Sequence, residues 1–180
     1  MQRVNRQADP PPGAPESREP QEPGMLETDS VAVRTLEERD LERVVAIDAH
    51  SSGRRRSEYF ALLLRRAREK SSLHVSLVAE LDERVVGFVV GTLYYGEFGM
   101  TEPSATIDAI GVEPESRGRS VGRALVRQLR LNLASLRVTS IRTEVEWDDF
   151  ELLGFLAREG FRPSTRLCLE TIVDPTAPEG

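Results

Sequence analysis

Residues 110–129, IGVEPESRGRSVGRALVRQL, join an apolar run to an amphipathic one through a proline, glycines and several arginines. The residue types that matter chemically are Arg117, Gly118, Arg119, Ser120, Val121, Gly122 and Arg123. A helix that begins here presents unpaired backbone N–H groups and the positive end of its dipole to whatever lies on the loop. Glycines let a phosphate approach that backbone closely, and arginines add charge-assisted donors, so one chemistry for the segment is a phosphate or pyrophosphate cradle. The other reading is a surface turn whose arginines are simply solvated. The segment is neither a Walker A loop nor Gly-x-Gly-x-x-Gly, because the required lysine and glycines are missing. A second set of reactive groups is carboxylate. Asp108 is the charged residue of an otherwise apolar strand pattern, Glu144, Glu146 and Asp148 alternate along the next one, and Glu97 sits in the loop GEFG.

The elements that must position these groups follow from periodicity. VAVRTL from Val31 alternates as a strand, and Asp40 is placed to cap a helix in which Leu41, Val44, Val45 and Ile47 form an apolar stripe. Ser57 is placed to cap a second helix, EYFALLLRRAREK, with a basic end that suits its dipole. HVSLVAEL and RVVGFVVGTLYY predict strands joined by a tight turn at Asp82 and Glu83, and ATIDAIGV predicts another. Strand alternation places Thr106, Asp108, Ile110 and Val112 on one face. Beyond the opening loop, Val121, Leu125, Leu129 and Leu133 recur at helical spacing. SIRTEVEW predicts a strand, DFELLGFLARE a helix ended by Gly160, and TRLCLETIV a last strand. The fold class is α/β, a single domain with a mixed central β-sheet and helices on both faces.

Composition narrows the setting. Residues 1–24 hold six of the eleven prolines and almost no large apolar side chain, which predicts a disordered tail, with the folded domain over 25–180 and Met25 as an alternative start. A single cysteine, Cys168, excludes an internal disulfide or a multi-cysteine zinc site, and His50 and His74 stand too far apart to suggest a metal cluster. A net charge of −6 argues against generic nucleic-acid binding. No secretory pattern opens the chain, and the longest apolar stretch, Val85 to Tyr95, is too short to span a bilayer. These features predict a soluble, cytoplasmic protein with no membrane partner. Trp147 and Cys168 are expected as core or pocket-wall residues, and Arg54–Arg56 and Arg65–Lys70 as solvated charge.

IGVEPESRGRSVGRAL resembles the coenzyme A signature of the GNAT N-acetyltransferases, Arg/Gln-x-x-Gly-x-Gly/Ala, preceded by a strand, a valine and a proline. The resemblance runs from about Val31 to Val173 and includes the Gly160–Phe161 pair after the last helix. The motif begins at Arg117 and ends at Gly122, with Ser120 in place of its middle glycine; a shifted register, Arg119-x-x-Gly122-x-Ala124, lies two residues late relative to Val112. The resemblance implies acetyl-CoA as co-substrate. Its pantetheine arm would pair with the free backbone of Ile110, Gly111 and Val112, and its pyrophosphate would lie on the amides of Arg117 to Arg123. Ser120 keeps its N–H and is expected to cap the helix or donate to a phosphate.

Acetyl transfer to an amine requires loss of a proton from the ammonium, whose ordinary pKa is near 10, so a base within reach is useful. The resemblance places a base at Asp108 in some family members, with Glu144 and Glu146 as further candidates. The family's general acid is a tyrosine in the last helix, seven residues after an asparagine; this chain has Leu156 and Asp149 there, and Asp149 is grouped with the cofactor-binding residues. Tyr94, Tyr95 or water are possible replacements. The implied activity is N-acetyl transfer by direct attack, to a small-molecule amine or a protein or peptide amine, in a chain that could form a homodimer. The alternative is a non-catalytic module that binds coenzyme A or acyl-CoA.

Overall fold

The computed structural model describes residues 31–69, 75–95, 102–166 and 168–173. The predicted tail 1–24, the alternative start Met25, His74 and Glu97 lie outside the described residues.

The described residues build one five-stranded sheet in the order β1 (Ala32–Thr35), β2 (Leu77–Leu81), β3 (Arg84–Tyr94), β4 (Ser104–Val112) and β5 (Ser140–Thr143). The pairs are antiparallel except β4–β5, which is parallel. Helices α1 (Leu41–Ser52) and α2 (Ser57–Glu69) connect β1 to β2, α3 (Val121–Ser135) crosses from β4 to β5, and α4 (Phe150–Arg158) follows β5. A parallel pair needs such a crossover, which is why the glycine- and arginine-rich loop must lead into a helix. Among the described residues no helix is long and apolar enough to cross a membrane.

Each face of the sheet buries its own core. Val121, Leu125, Leu129 and Leu133 of α3, the stripe expected from the sequence, pack with Leu77, Val89 and Ile107. On the opposite face Val44, Val45 and Ile47 of α1 and Phe60 of α2 enclose Val78, Phe88 and Val90. Gly87 brings α3 close to the sheet: a Cβ there would stand 2.7 Å from Val121 Cγ1. Asp82 (φ 50°) and Glu83 (φ 61°) form the expected tight turn between β2 and β3.

Four expectations change. Asp40 precedes α1 but does not cap it; its carboxylate takes both arms of the Arg34 guanidinium, at 2.6 and 2.8 Å, and the Glu37 N–H at 2.9 Å. β5 stops at Thr143 rather than running to Trp147, and the Trp147 side chain is 82% exposed rather than core. The strand expected over TRLCLETIV is absent from the described residues 168–173, and Leu169, Ile172, Val173 and Cys168 are exposed. Residues 168–173 make no ladder with the outer edge of β5 among the described residues, and without a ladder their side chains gain no core face.

The fourth change concerns β4. Val90 pairs with Ala109 and Gly91 with Ile107, leaving Asp108 as the extra residue of a bulge. A bulge shifts the alternation by one, so the residues beyond it change faces. Ile110 and Val112 therefore join Ala105 and Ile107 on the α3 side, while Ala109 packs on the α1 side. Thr106 and Asp108 stay together, but they do not share a face with Ile110 and Val112.

The end of β4 is clamped by charge. Buried Glu113 meets Arg43 of α1 at 2.5 Å and Arg84 of β3 at 2.6 Å, while Arg43 Nε donates to Val85 O at 2.8 Å and Glu113 N–H to Val86 O at 2.8 Å. The hydrogen bond from Arg43 is the main cause that holds the Glu113 carboxyl below its ordinary pKa, with the Arg43 and Arg84 charges acting in the same direction against burial. A depressed carboxyl stabilises the fold above its unfolded pKa, and that contribution disappears as pH falls through the folded value. Glu113→Gln is expected to lower stability by about 2 kcal/mol at pH 7. Denaturant titrations from pH 7 into the acid range should show the gap to wild type closing as the native carboxylate protonates.

Candidate active site

β4 and β5 run together only briefly. Ser104–Ile107 pair with Ser140–Thr143, and the Thr143 hydroxyl donates to Ile107 O at 3.0 Å where the ladder ends. Past this point β4 continues through Asp108, Ile110, Gly111 and Val112 with β3 on one side and no strand on the other among the described residues. The chain of β5 meanwhile turns off toward α4. The result is a wedge between two diverging strands, with the N-terminus of α3 beyond the end of β4.

The loop reaches α3 through a short helical turn at Pro114–Ser116, and the Arg117 N–H closes it on Pro114 O at 3.2 Å. Gly118 (φ 76°) and Ser120 (φ 61°) then adopt the left-handed conformation. Glycine takes this conformation without strain, which explains why the family's motif has a glycine where this chain has Ser120. Ala124 N–H donates to Ser120 O at 2.9 Å, so the amides of Val121, Gly122 and Arg123 precede the first intrahelical bond. The Ser120 hydroxyl makes no capping hydrogen bond, so of its two expected roles the cap is not realised. A side chain in the left-handed region is carried away from the orientation that caps N2 or N3, since N-cap residues ordinarily sit in the β region.

Gly122 serves packing. A Cβ there would stand 3.0 Å from the Phe155 ring of α4, so the small residue lets α4 lie against the start of α3. The arginines are partly engaged. Arg117 donates to both oxygens of Glu151 at 3.0 Å and to Ser51 Oγ at 3.2 Å, tying α4 and the end of α1 to the loop. Arg123 lies 3.5 Å from Glu159, and Arg119 is exposed. Asp149 accepts the Leu152 N–H at 3.0 Å and thereby caps α4.

Asp108 stands one residue past the last β4–β5 pair. Its carboxylate accepts from Thr92 Oγ1 at 2.5 Å and from Thr106 Oγ1 at 2.8 Å. The Tyr59 hydroxyl of α2 donates to Asp108 O at 3.4 Å. Burial, reinforced by the Asp108 charge, raises the Tyr59 pKa, so the phenol remains a donor at neutral pH. Arg56 stacks over the Tyr59 ring and is itself held by Asp48 at 2.6 Å.

The sequence singles out Asp108 and places Thr106 beside it on one face, but it does not point to Tyr59 or Thr92. Thr106 was legible as a hydroxyl two residues from the only carboxylate of the strand; Tyr59 and Thr92 become neighbours only through folding. Glu144 and Glu146, expected on a strand face, lie exposed on the loop after Thr143, as does Asp148. Leu156, at the place of the family's acid, is buried. Tyr94 closes β3 half-buried and Tyr95 is exposed. Ser120→Gly is expected to raise the unfolding free energy by about 1 kcal/mol by relieving the left-handed side chain. Asp149→Ala should lower it by a similar amount, about 1 kcal/mol, through loss of the cap. Thermal unfolding of the two variants checks both signs.

Comparison with known proteins bears on this geometry. Residues 32–161 match the Acetyltransferase (GNAT) family. The chain is 29% identical over 99 residues to L-2,4-diaminobutyric acid acetyltransferase of Nocardia farcinica, and the match covers 55% of this chain and 49% of that protein. The chain thus spans about half the length of the curated relative it matches. Among solved structures, Ard1 from Thermoplasma volcanium superposes with a TM-score of 0.64 at 26% identity, covering 76% of this chain and 85% of that one. The ribosomal-protein-alanine N-acetyltransferase of Brucella melitensis biovar Abortus shares the fold, with a TM-score of 0.61 at 19% identity over 81% of this chain and 99% of that one. With the family matched from β1 through α4, and with the diverging strands, left-handed loop and α3 N-terminus described above, the chain belongs to the GNAT acetyltransferase family.

Proposed function

We propose that this protein is an N-acetyltransferase that uses acetyl-CoA and carries the acetyl group directly to an amine in a ternary complex. The observation that carries the reading is the position of Asp108, held by two hydroxyls one residue beyond the point where β4 and β5 part. Acetyl-CoA, when bound, supplies an activated thioester. The residues present fit it: the unpaired side of Ile110–Val112 offers a backbone edge, and the amides of Val121, Gly122 and Arg123 with exposed Arg119 offer donors to a pyrophosphate.

Thr92 and Thr106 orient the Asp108 carboxylate and leave it lone pairs with which to take a proton from an incoming ammonium. Attack by the neutral amine forms the C–N bond and breaks the C–S bond, and the departing sulfur takes up a proton. Leu156 cannot supply that proton, so water or a tyrosine of the cleft does. Glu144 and Glu146 act, in this reading, by attracting a cationic acceptor rather than by touching it. The L-2,4-diaminobutyric acid acetyltransferase relative supports a small amino-acid amine as the acceptor, with a protein or peptide amine as the other class. Buried Leu156 favours the second reading, a module that binds coenzyme A without turnover.

Asp108→Asn separates the two. Turnover should fall by about 10²- to 10⁴-fold with acetyl-CoA affinity unchanged, and unchanged turnover across a panel of amines would remove the base assignment. Calorimetric titration with acetyl-CoA, with adenosine 3′,5′-bisphosphate as a fragment control, tests the cradle. Arg119→Glu should weaken both ligands by about tenfold or more. Gly122 is a poor choice for this test, since any side chain there meets Phe155 as well as the ligand.

A further inference from the structure

Trp147 and Phe150 lie 82% and 71% exposed between β5 and the first turn of α4. Their place is fixed from both ends. Thr143 donates to Ile107 O where β4 and β5 part, and Arg117, in the loop beyond β4, donates to Glu151. Residues 144–150 therefore cross the open mouth of the wedge, opposite residues 108–112. The Asp149 N–H donates to Glu146 O at 3.0 Å, which puts Trp147 and Asp148 at the corners of a tight turn. Aspartate is an ordinary corner residue, but tryptophan has no turn chemistry to explain it there. Exposed apolar side chains gathered in one patch, here two rings with Leu153 beside them, mark a binding surface.

Shape and charge together select the occupant. The ring centroids are 6.5 Å apart at an interplanar angle of 69°, so the two rings form a corner. A cation seated in that corner lies within about 6 Å of both centroids, the range of a cation–π contact. The flanking residues are acidic: Glu144, Glu146 and Asp148 are exposed, and none of their carboxylates has an ion-pair partner among the described residues. Such a field repels the phosphates of a nucleotide and draws in a cation. We propose that Trp147 and Phe150 seat a second, non-reacting cationic group of the acceptor, so that the substrate is a flexible diamine or polyamine. One nitrogen meets Asp108 and the other lies against the two rings across the wedge. The rings make the contact, and the carboxylates attract from a distance. A monoamine has only the first of the two contacts, so preference for a dication follows. The role of the reacting nitrogen rests on the acetyltransferase reading; capture of the second cation by the rings does not.

Trp147 is the chain's one tryptophan, so its fluorescence reports this site alone. The test titrates the full chain with putrescine, spermidine and butylamine, and with adenosine 3′,5′-bisphosphate as the nucleotide arm. Putrescine and spermidine should give a saturable change in emission with affinities about tenfold or more above that of butylamine. Added salt should weaken both. Phe150→Leu, an exposed change that leaves the tryptophan in place, should weaken both by about fivefold and narrow their advantage over butylamine. No response to either polyamine overturns the proposal, and so does an equal response to butylamine and putrescine. A change produced by the bisphosphate alone overturns it too and assigns the rings to the nucleotide. So does the emission of a buried indole in the free chain, which would mean that the rings are covered. Thiol release from acetyl-CoA, followed in parallel, tests the enzyme separately. Polyamine binding without thiol release removes the acetyltransferase reading and upholds the cation seat. Thiol release as ready with butylamine as with putrescine upholds that reading and removes the seat.

Discussion

The parting of β4 and β5 is the constraint on which the rest of this structure depends. Two parallel strands held together for four residues and then separated leave one side of β4 without a partner strand among the described residues. Water can satisfy such an edge, and so can an extended ligand with amides of its own. The parting is enforced from both sides. The bulge at Asp108 re-aims β4 just beyond the last pair, and the Thr143 hydroxyl ends the ladder by bonding Ile107 O. A base candidate, a free edge and a helix N-terminus thus come from one local irregularity in one sheet.

Holding that irregularity open takes fixed supports. Glu113 ties the end of β4 to α1 and to β3 through Arg43 and Arg84, so the strand cannot drift toward β5. Gly87 and Gly122 remove side chains where α3 meets the sheet and where α4 meets α3, which fixes the helix end that faces the wedge. Arg117 fastens the loop to α4 and α1 from the solvent side. Against these stands Ser120, a non-glycine residue in the left-handed region, whose strain the surrounding packing tolerates.

The far edge of the sheet shows the opposite condition. Among the described residues no strand pairs with β5 on its outer side, and residues 168–173, which follow α4, are exposed. The contrast is physical: the inner edge of the wedge lies beside a bulge and an ion-pair clamp, whereas the outer edge is that of the last strand among the described residues.

Much of this was legible in the residues themselves. Apolar periodicity at Val121, Leu125, Leu129 and Leu133 determined α3 and the face it buries, because only one helical stripe was available. The order of strands and helices, the Asp82–Glu83 turn and the arginine- and glycine-rich loop before a helix were likewise local properties. The sequence also singled out Asp108, a lone carboxylate among apolar neighbours. What it could not determine was which side of the strand its neighbours face. Alternation predicted that Asp108, Ile110 and Val112 share a face, and the bulge, which depends on how β3 pairs with β4, separates them. Long-range pairing likewise decided that Tyr59 and Thr92 meet Asp108, that β5 ends before Glu144 and Glu146, and that Trp147 and residues 168–173 stay exposed. Local propensity says what a segment can become; only the presence or absence of a partner strand decides whether it does.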